Sequence, residues 1–392
     1  MKEIYFDNNA TTRVDDAVFE EMRPYFCDLY GNPSSMHFFG GQVQKKVDEA
    51  RNRVAALLGA SPDEIIFTAC GTESDNAAIR SALEVFPEKR HVITTRVEHP
   101  AVLTLCRNLS KRGYRVTELN VDGEGRLDLN ELKAAVDDDT AIVSIMYANN
   151  ETGVVFPVEE AGAIVKEKGA IFHTDAVQAV GKIPLNMAAS TIDMLSLSGH
   201  KLHAPKGIGA LYLRKGVPFR PFMVGGHQEK GRRAGTEATA SNIALGKACE
   251  LAGSHMAEEK TRVKDMRDRL EKSLMELIPN RRINGGGAER LPNTTSIAFE
   301  FVEGEAILLL LSEKMICASS GSACTSGSLE PSHVLRAMGV PFTCAHGSIR
   351  FSLSRFNTDA EVDTVIRELP PIIRRLREIS PFGREKLVSS RT

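Results

Sequence analysis

The sequence lacks several features that would place it in a large functional class. It contains no apolar run long enough to cross a bilayer, and its first residues, MKEIYFDNNATT, lack the apolar core of a secretory signal. Lys and Arg number 49 against 51 Asp and Glu, so the chain has no basic excess of the kind that nonspecific nucleic-acid binding requires. We therefore expect a cytoplasmic protein that binds neither membranes nor nucleic acids.

Paired cysteines are also absent. The chain has an odd number of widely scattered cysteines, without a CxxC pair, at positions 27, 70, 106, 249, 317, 324 and 344. This spacing argues against a disulfide framework and against a zinc ribbon, and we expect no resident metal site. Free cysteine is most often a small buried side chain, so a cysteine in a polar, flexible segment is the exception to examine.

The chain has the composition of a globular protein, with 392 residues of which 42% are hydrophobic and 26% charged. Strand and helix patterns alternate through its first half, which indicates a mostly parallel sheet with helices on both faces. The pattern changes near residue 256, where a long amphipathic helix begins. We predict a large α/β domain over 13–255, a smaller α+β domain formed by 1–12 and 256–380, and a flexible tail over 381–392.

The last helical pattern contains two adjacent prolines. It extends from about residue 359 to residue 377 and includes Pro370 and Pro371. Because proline has no N–H to donate and its ring crowds the preceding turn, we expect this helix to bend or break there.

A lysine stands at the end of an apolar run that has the character of a buried strand. In SLSGHKLHAPKGIG, Lys201 would emerge at the mouth of this strand, before a Pro-Gly loop that cannot continue the sheet. Lysine forms Schiff bases with carbonyl compounds, and nearby cations and apolar walls make its amine nucleophilic at neutral pH. Taken alone, a lysine in such a loop is more often solvated and without a catalytic role.

Other candidate residues follow predicted strands, at the edge of the sheet where ligands bind in α/β folds. The strand IIFT leads into a Gly-Thr turn at Gly71 and Thr72 and then into a helix. The first N–H groups of that helix could hold a phosphate, and an ordinary strand-to-helix connection is the alternative. His99, Asn150 and Asp175 follow three further strands and would lie at the same edge.

Three side chains suit a pyridine cofactor. A carboxylate such as Asp175 can keep a pyridinium nitrogen protonated, which turns pyridoxal phosphate into an electron sink, and Gln178 could donate to the phenolate oxygen of the ring. Asp175 could instead be a helix N-cap. The imidazole of His99 can stack on a heteroaromatic ring and pass a proton, although a lone histidine is more often structural.

Cys324 and Arg350 complete the candidates. Cys324 lies in ASSGSACTSGSL, a run of small residues that cannot anchor a core, so we expect a mobile loop with an exposed thiolate nucleophile. Arg350 alternates on a predicted strand with Ile349 and Phe351. Its guanidinium suits a substrate carboxylate, and a surface salt bridge is the alternative.

Ordered motifs along nearly the whole chain resemble those of the cysteine desulfurases, fold-type I pyridoxal 5'-phosphate enzymes of the NifS and IscS kind. The motifs are YFDNNATT, GNPSSMH, GTESDN, EHPAV, ANNETG, HTDAVQAVGK, SGHKLHAPKG, GGHQEKGRRAGTE, SSGSACTSGSLEPSHVLRAMG and GSIRFSLSR. Two stretches, GGHQEKGRRAGTE and LPPIIRRLREISPF, look more like the nitrogenase-associated NifS branch than the housekeeping branch.

The resemblance implies a role in cofactor binding for most of the candidates. Lys201 would hold the cofactor covalently, and His99 would stack on its ring. Asp175 would meet the pyridine nitrogen, and Gln178 the phenolate oxygen. The residues that would hold the phosphate are Gly71, Thr72, Ser198, His200 and, from the partner subunit of a homodimer, Thr236.

The resemblance also implies the substrate, L-cysteine. Its carboxylate would be positioned by Asn32, Asn150 and Arg350, and Asn150 would also contact the cofactor. After the amine of Lys201 removes the Cα proton, the thiolate of Cys324 would attack the substrate sulfur, giving L-alanine and a persulfide on Cys324. An iron–sulfur scaffold protein of the NifU or IscU type would accept the sulfur, with a transient contact between Cys324 and an iron–sulfur cluster, and nitrogenase is the implied client.

Two other functions remain open at the level of sequence. A selenocysteine lyase or a cysteine β-lyase on the same fold would not need Cys324 for its chemistry. A sulfur-carrier or scaffold-binding protein with a vestigial cofactor site belongs to a different class, and the intact set of Lys201, Asp175 and Gln178 argues against it.

Overall fold

A computed structural model of the chain describes residues 3–320 and 331–380; the predicted tail over 381–392 and Cys324 lie outside these ranges. The strands in the described ranges are β1 (Ile4–Tyr5), β2 (Ile65–Thr68), β3 (His91–Thr95), β4 (Arg115–Leu119), β5 (Thr140–Ser144), β6 (Ile171–Asp175), β7 (Met194–Ser198), β8 (Gly209–Leu213), β9 (Arg281–Ile283), β10 (Thr294–Phe299), β11 (Ile316–Cys317), β12 (Ser319–Ser320) and β13 (Ser348–Ser352).

The α-helices are α1 (Asp16–Met22), α2 (Pro24–Cys27), α3 (Phe38–Leu58), α4 (Gly71–Val85), α5 (Pro100–Ser110), α6 (Leu129–Ala135), α7 (Val158–Glu167), α8 (Thr239–Ser254), α9 (Met256–Glu258), α10 (Lys264–Leu277), α11 (Gly304–Glu313), α12 (His333–Ala337), α13 (Phe342–Ala345) and α14 (Asp359–Ile379). Short 3-10 turns cover Pro62–Glu64, Gly199–Lys201 and Gln228–Gly231, and a π-helical turn covers Glu259–Val263. Within the two described ranges, no helix combines the length and the apolar content that a membrane crossing requires.

The large sheet has seven strands in the order β2-β8-β7-β6-β5-β3-β4. β3, β4, β5, β6 and β7 run parallel, and β8 runs antiparallel to both of its neighbours. Parallel strands need crossover connections, which the intervening helices provide. The predicted fold class, a mostly parallel α/β sheet with a smaller α+β part, is therefore confirmed.

Both faces of the large sheet are buried. Neighbouring residues of one strand enter different cores, as Ile66 and Phe67 of β2 and Ile171 and Phe172 of β6 do. Helices α4 and α5 cover one face, and α3, α7 and α8 cover the other. Burial on both faces explains why these strands are almost continuously apolar in the sequence.

A second apolar core lies beside the large sheet. It is formed by Phe6, by α10, α11 and α14, and by β10 and β13 of an antiparallel sheet with the order β12-β13-β10-β9. The N-terminal strand β1 pairs with β11, which brings the first residues to this core. The domain boundaries stay a prediction. Leu291 and Ala298, which the prediction places in the smaller domain, pack into the core of the large sheet.

The last helix continues through its two prolines. Pro370 and Pro371 lie inside α14, so the prediction of a break at these residues is wrong. Each proline removes one backbone hydrogen bond from the helix. Ile372 and Ile373, which follow directly, are buried in the second core, and this packing holds the helix in place despite the missing bonds.

Candidate active site

A cavity of about 330 Å³ opens at the carboxyl ends of the parallel strands. Its volume lies in the range of small-molecule sites. The predicted site residues that line it are Gly71, Thr72, His99, Asn150, Asp175, Gln178, Ser198, His200, Lys201 and Arg350. Segments that are far apart in the chain therefore meet at one edge of the sheet.

Two of the described site residues do not line this cavity. Asn32 and Thr236 are exposed, and the Oδ1 atom of Asn32 accepts a hydrogen bond from the N–H of Ser34 (2.9 Å) in a local turn. Cys324 lies outside the described residues.

A tight turn holds Lys201 at the mouth of β7. The N–H of Gly199 donates to the C=O of Ile208 (2.9 Å), and a Cβ atom at position 199 would lie 2.8 Å from the side chain of Ile208. The Nζ atom of Lys201 donates to the C=O groups of Asn9 (2.7 Å) and Ala10 (2.6 Å). Two backbone carbonyl groups of the N-terminal segment therefore fix the position of the amine inside the cavity.

Asp175 ends β6 and is buried. Its Oδ1 atom accepts a hydrogen bond from the N–H of Val177 (2.9 Å), so the carboxylate caps a turn. The alternative role, a helix N-cap, is not found, because β6 is followed by turns and not by a helix. Its Oδ2 atom makes no hydrogen bond with the described residues. Burial raises the pKa of Asp175, and the neighbouring His99, the hydrogen bond from Val177 and the charge of Lys201 oppose that rise. A cation beside Oδ2 would favour the ionised carboxylate.

His99 is the N-cap of α5. Its Nδ1 atom accepts a hydrogen bond from the N–H of Ala101 (3.2 Å), which assigns the proton of the neutral ring to Nε2. Burial lowers the pKa of His99, the charge of Lys201 acts in the same direction, and Asp175 opposes both. The imidazole is therefore neutral near pH 7, as stacking on an aromatic ring requires.

The start of α4 has the features of an anion site. The N-cap residue Cys70 makes no side-chain hydrogen bond to the helix, so the first N–H groups of α4 stay available to a ligand. A Cβ atom at Gly71 would lie 2.8 Å from the side chain of Val177. Ser198 and His200 line the same cavity. Burial, aided by nearby positive charges, lowers the pKa of His200 to about 4, so its ring is neutral.

Arg350 enters the cavity from β13. Its Nη1 atom donates to the C=O of Asn150 (2.9 Å), and its Nη2 atom to Oδ1 of Asp7 (2.6 Å). Its Nε atom is buried and has no partner among the described residues. Arg350 is only 5% exposed, so its ion pair with Asp7 is not a surface salt bridge. The guanidinium retains an N–H for a carboxylate ligand.

These groups fit pyridoxal 5'-phosphate. The helix start and its neighbours suit the phosphate, the carboxylate of Asp175 suits a pyridinium nitrogen, and the amine of Lys201 suits an aldehyde. Asp75 of α4 also lines the cavity, but its Oδ1 atom lies 3.6 Å from Nε2 of the buried His173. The buried Nε atom of Arg350, in contrast, has no hydrogen-bond partner among the described residues. Buried polar atoms without partners are costly, so their presence here favours a polar ligand.

Asn9 is a cavity residue that the sequence interpretation did not select. Its C=O accepts from Nζ of Lys201 and from Nε2 of Gln178 (3.0 Å). Its Nδ2 atom donates to the C=O of Asn150 (3.2 Å) and to Oγ1 of Thr294 (2.8 Å). The available signal was the pair of asparagines in DNNATT, a polar run directly after an apolar strand.

Glu98 does not line the cavity, but it is a fully buried carboxyl group next to His99 in the chain that the sequence interpretation also did not select. Its Oε1 atom accepts from Oγ1 of Thr95 (2.8 Å) and from the N–H of Met146 (2.9 Å), and its Oε2 atom has no partner among the described residues. Burial raises the pKa of Glu98 to about 8. A carboxylate three residues after an apolar strand, directly before His99, was the signal in the sequence.

Comparisons with known proteins agree over almost the whole chain. The aminotransferase class-V family model matches residues 4–365. The chain is 64% identical over 386 residues to cysteine desulfurase 2 of Trichormus variabilis, which covers 98% of this chain and 97% of that protein. It is 58% identical over 383 residues to the cysteine desulfurase NifS of Azotobacter vinelandii, with coverages of 97% and 95%.

A solved structure described as a NifS-like protein is similar as well. It matches with a TM-score of 0.89 at 42% sequence identity, over 95% of this chain and 100% of that chain. The likeness therefore extends to the three-dimensional arrangement of nearly every element.

Replacing Glu98 with Gln should change how stability depends on pH. Burial raises the pKa of Glu98 from 4.5 to about 8, so the folded state binds this proton more tightly than the unfolded chain does. Its contribution to the free energy of unfolding is therefore full below about pH 4.5 and falls by roughly 1.4 kcal/mol per pH unit up to about pH 8. E98Q cannot ionise, so its stability relative to the wild type should rise over this interval.

Urea unfolding at pH 5.5 and pH 8 measures this difference. The exposed Glu313 of α11 provides a matched control, because E313Q removes a carboxylate that is already in water. A constant gap in stability between E98Q and the wild type at the two pH values would contradict the prediction.

Proposed function

The chain belongs to the aminotransferase class-V family, and from this we infer a pyridoxal 5'-phosphate enzyme that acts as a cysteine desulfurase, removing sulfur from L-cysteine and forming L-alanine. One observation supports this function above the others. A single cavity brings together the amine of Lys201, the carboxylate of Asp175 and the anion site at the start of α4.

We propose that Lys201, Asp175, Gln178 and His99 surround the cofactor ring. When bound, pyridoxal phosphate supplies an electron sink for the bonds at the substrate Cα atom. Lys201 would hold the cofactor through its amine and would move the proton at that Cα atom. Asp175 would keep the pyridine nitrogen protonated, Gln178 would donate to the ring oxygen, and the neutral imidazole of His99 would pack on the ring and relay a proton.

The phosphate group is assigned to the anion site. Gly71 and Thr72 supply backbone N–H groups, and Ser198 and His200 supply side chains. A phosphate dianion at the start of a helix is favoured by the helix dipole. Its charge also balances the amine of Lys201, which lies in the same cavity.

The substrate carboxylate is assigned to Arg350, Asn150 and Asn32. The thiolate of Cys324 then bonds to the substrate sulfur while the carbon–sulfur bond breaks. The electron pair of the broken bond stays on carbon, which takes up a proton as L-alanine forms. The sulfur remains on Cys324 as a persulfide.

We propose that an iron–sulfur scaffold protein accepts this sulfur in the cytoplasm and that nitrogenase is the client. The similarity to the NifS protein of Azotobacter vinelandii supports this direction of transfer. A persulfide sulfur is electrophilic, so a scaffold thiolate can take it and return Cys324 to the thiolate form.

We also propose a homodimer in which Thr236 completes the phosphate site of the partner subunit. Thr236 is exposed and does not line the cavity of its own chain. Large apolar side chains are also exposed on the described surface, including Met36, Phe38 and Val224, which are 104%, 79% and 86% exposed. Burial of such side chains against a second subunit would supply the association energy.

The cofactor and the role of Cys324 are tested together. Protein loaded with pyridoxal phosphate should absorb near about 400 nm, and sodium borohydride should remove that band because it makes the attachment to Lys201 irreversible. C324A should keep the band and lose nearly all alanine production from L-cysteine. A C324A protein that still forms alanine would favour a cysteine β-lyase, and a protein without the band would exclude the cofactor assignment.

Replacing Arg350 with Lys should weaken substrate binding. Lysine keeps the charge but lacks the planar guanidinium that contacts Asn150 and Asp7 and still has an N–H for a carboxylate, so we expect KM for L-cysteine to rise about 10- to 100-fold with a smaller change in kcat. Arg290 is a matched control, since it is similarly buried and pairs with Glu271 (2.7 Å) outside the cavity. Steady-state kinetics of R350K and R290K measure this difference. Equal KM values for the two variants would contradict the assignment of Arg350 to the substrate carboxylate.

The shared site predicts complementation between two defective subunits. T236V should bind pyridoxal phosphate about 10-fold more weakly, because one hydrogen bond to a charged group is lost. Mixing T236V with K201A should restore activity at limiting cofactor, since one site of each mixed dimer has both residues. The double variant K201A/T236V is the control partner and should restore nothing; equal activity in the two mixtures would contradict the shared site.

A further inference from the structure

A buried lysine lies directly behind the cavity. Lys182 is 7% exposed, and its Nζ atom donates to Oε1 of Gln178 (3.0 Å) and to Oδ1 of Asn9 (3.2 Å). The turn that follows β6 brings the two residues of HTDAVQAVGK side by side, because the N–H of Lys182 donates to the C=O of Ala179 (3.0 Å). Lys182 therefore contacts two residues that line the cavity.

The side-chain amide of Gln178 has one orientation in this arrangement. An ammonium group donates and cannot accept, so Lys182 requires the amide oxygen. The backbone C=O of Asn9 accepts and cannot donate, so it takes the amide nitrogen (3.0 Å). The second N–H of the same amide is left for the cavity that Gln178 lines. The two contacts thus present a donor to the cavity.

The side chain of Asn9 is oriented by the same logic. Its Nδ2 atom donates to the C=O of Asn150 (3.2 Å), so its Oδ1 atom faces Lys182. The Nδ2 atom of Asn293 donates to that same oxygen (3.1 Å). Lys182 consequently holds two acceptor oxygens, one from the N-terminal segment and one from the loop after β6.

Groups from several elements set the charge of Lys182. Burial lowers the pKa of Lys182 to about 7, Lys201 and Arg350 act in the same direction, and the carboxylate of Glu259 opposes them. Lys182, Glu259 and His203 line one small cavity of about 20 Å³. Burial raises the pKa of Glu259 to about 7, so its charge opposes the effect of burial on Lys182 only in part, and Lys182 is an ammonium donor to the amide below a pH of about 7.

We propose that Lys182 is a positioning residue that orients the amide of Gln178 as a donor to the ring oxygen of the bound cofactor. This inference rests on the proposed function, which assigns Gln178 to that oxygen. Without Lys182, the Oε1 atom of Gln178 loses its donor and the amide can rotate. An amide oxygen turned toward an anionic ring oxygen repels it, so protonation of the bound chromophore becomes easier.

The test is a pH titration of the visible absorbance of the loaded protein. In K182M, the pH at the midpoint of this titration should rise by about one unit. Q178L should show a similar rise. The double variant K182M/Q178L should match Q178L alone, because a residue that acts through Gln178 adds nothing once Gln178 is gone.

The control removes a lysine elsewhere. The Nζ atom of Lys247 on α8 binds Glu250 (2.5 Å) and lies outside the cavity, so K247M should titrate like the wild type. Thermal unfolding verifies that each variant is folded. If K182M does not accumulate as folded protein, K182Q takes its place in the cycle, with a smaller rise of the same sign.

Two results would overturn the proposal. An unchanged midpoint in K182M would show that Lys182 does not influence the cofactor. Equal shifts in the wild-type and Q178L backgrounds would show that its charge acts directly and not through Gln178. Failure of the proposed function gives a different result, since the wild type would then show no visible band that borohydride removes.

Discussion

The site depends on one stretch of backbone that joins the two cores. The N-terminal segment passes from the second sheet to the edge of the large one, and its polar atoms are bonded on both sides. Nδ2 of Asn8 donates to the C=O of Ser352 (2.9 Å), while the N–H of Thr12 donates to the C=O of His200 (3.0 Å). Between these anchors, the C=O of Asn9 receives the amine of Lys201. Because backbone carbonyls cannot relax far without losing these anchors, the amine has a defined position before any ligand binds.

Electrostatics gives the cavity its selectivity. Buried charges are costly unless they are paired, and burial shifts the pKa of Asp175 and His99 toward their neutral forms. A zwitterionic ligand with a pyridinium nitrogen and a phosphate supplies the missing opposite charges. The guanidinium of Arg350 forms an ion pair with Asp7, so its charge is already partly compensated before a substrate carboxylate binds. The same groups that reduce stability in the protein alone therefore favour binding of the cofactor and of an amino acid.

Local patterns predicted much of the fold and many of the residues that line the cavity. The apolar run before Lys201 became β7, and the Gly-Thr turn at Gly71 became the start of α4, since strand and helix periodicity are properties of short segments. The prolines of α14 show the limit of this reasoning, because the packing of Ile372 and Ile373 outweighs a local preference. The same limit explains why the sequence interpretation did not select Asn9, Glu98 and Lys182. The partners and the burial of these residues become known only from the folded structure.

The sequence by itself determined the order of strands and helices, the fold class and the identity of the reactive groups, since these follow from side-chain chemistry and short-range periodicity. Only the tertiary structure decided which atoms of those groups remain available. Within the described residues, Arg350 keeps Nε free because Asn150 and Asp7 take its two Nη atoms, and the amide of Gln178 is oriented in part by the backbone of Asn9. Hydrogen bonds depend on distance and direction to within a fraction of an ångström, and such geometry exists only once the whole chain is packed.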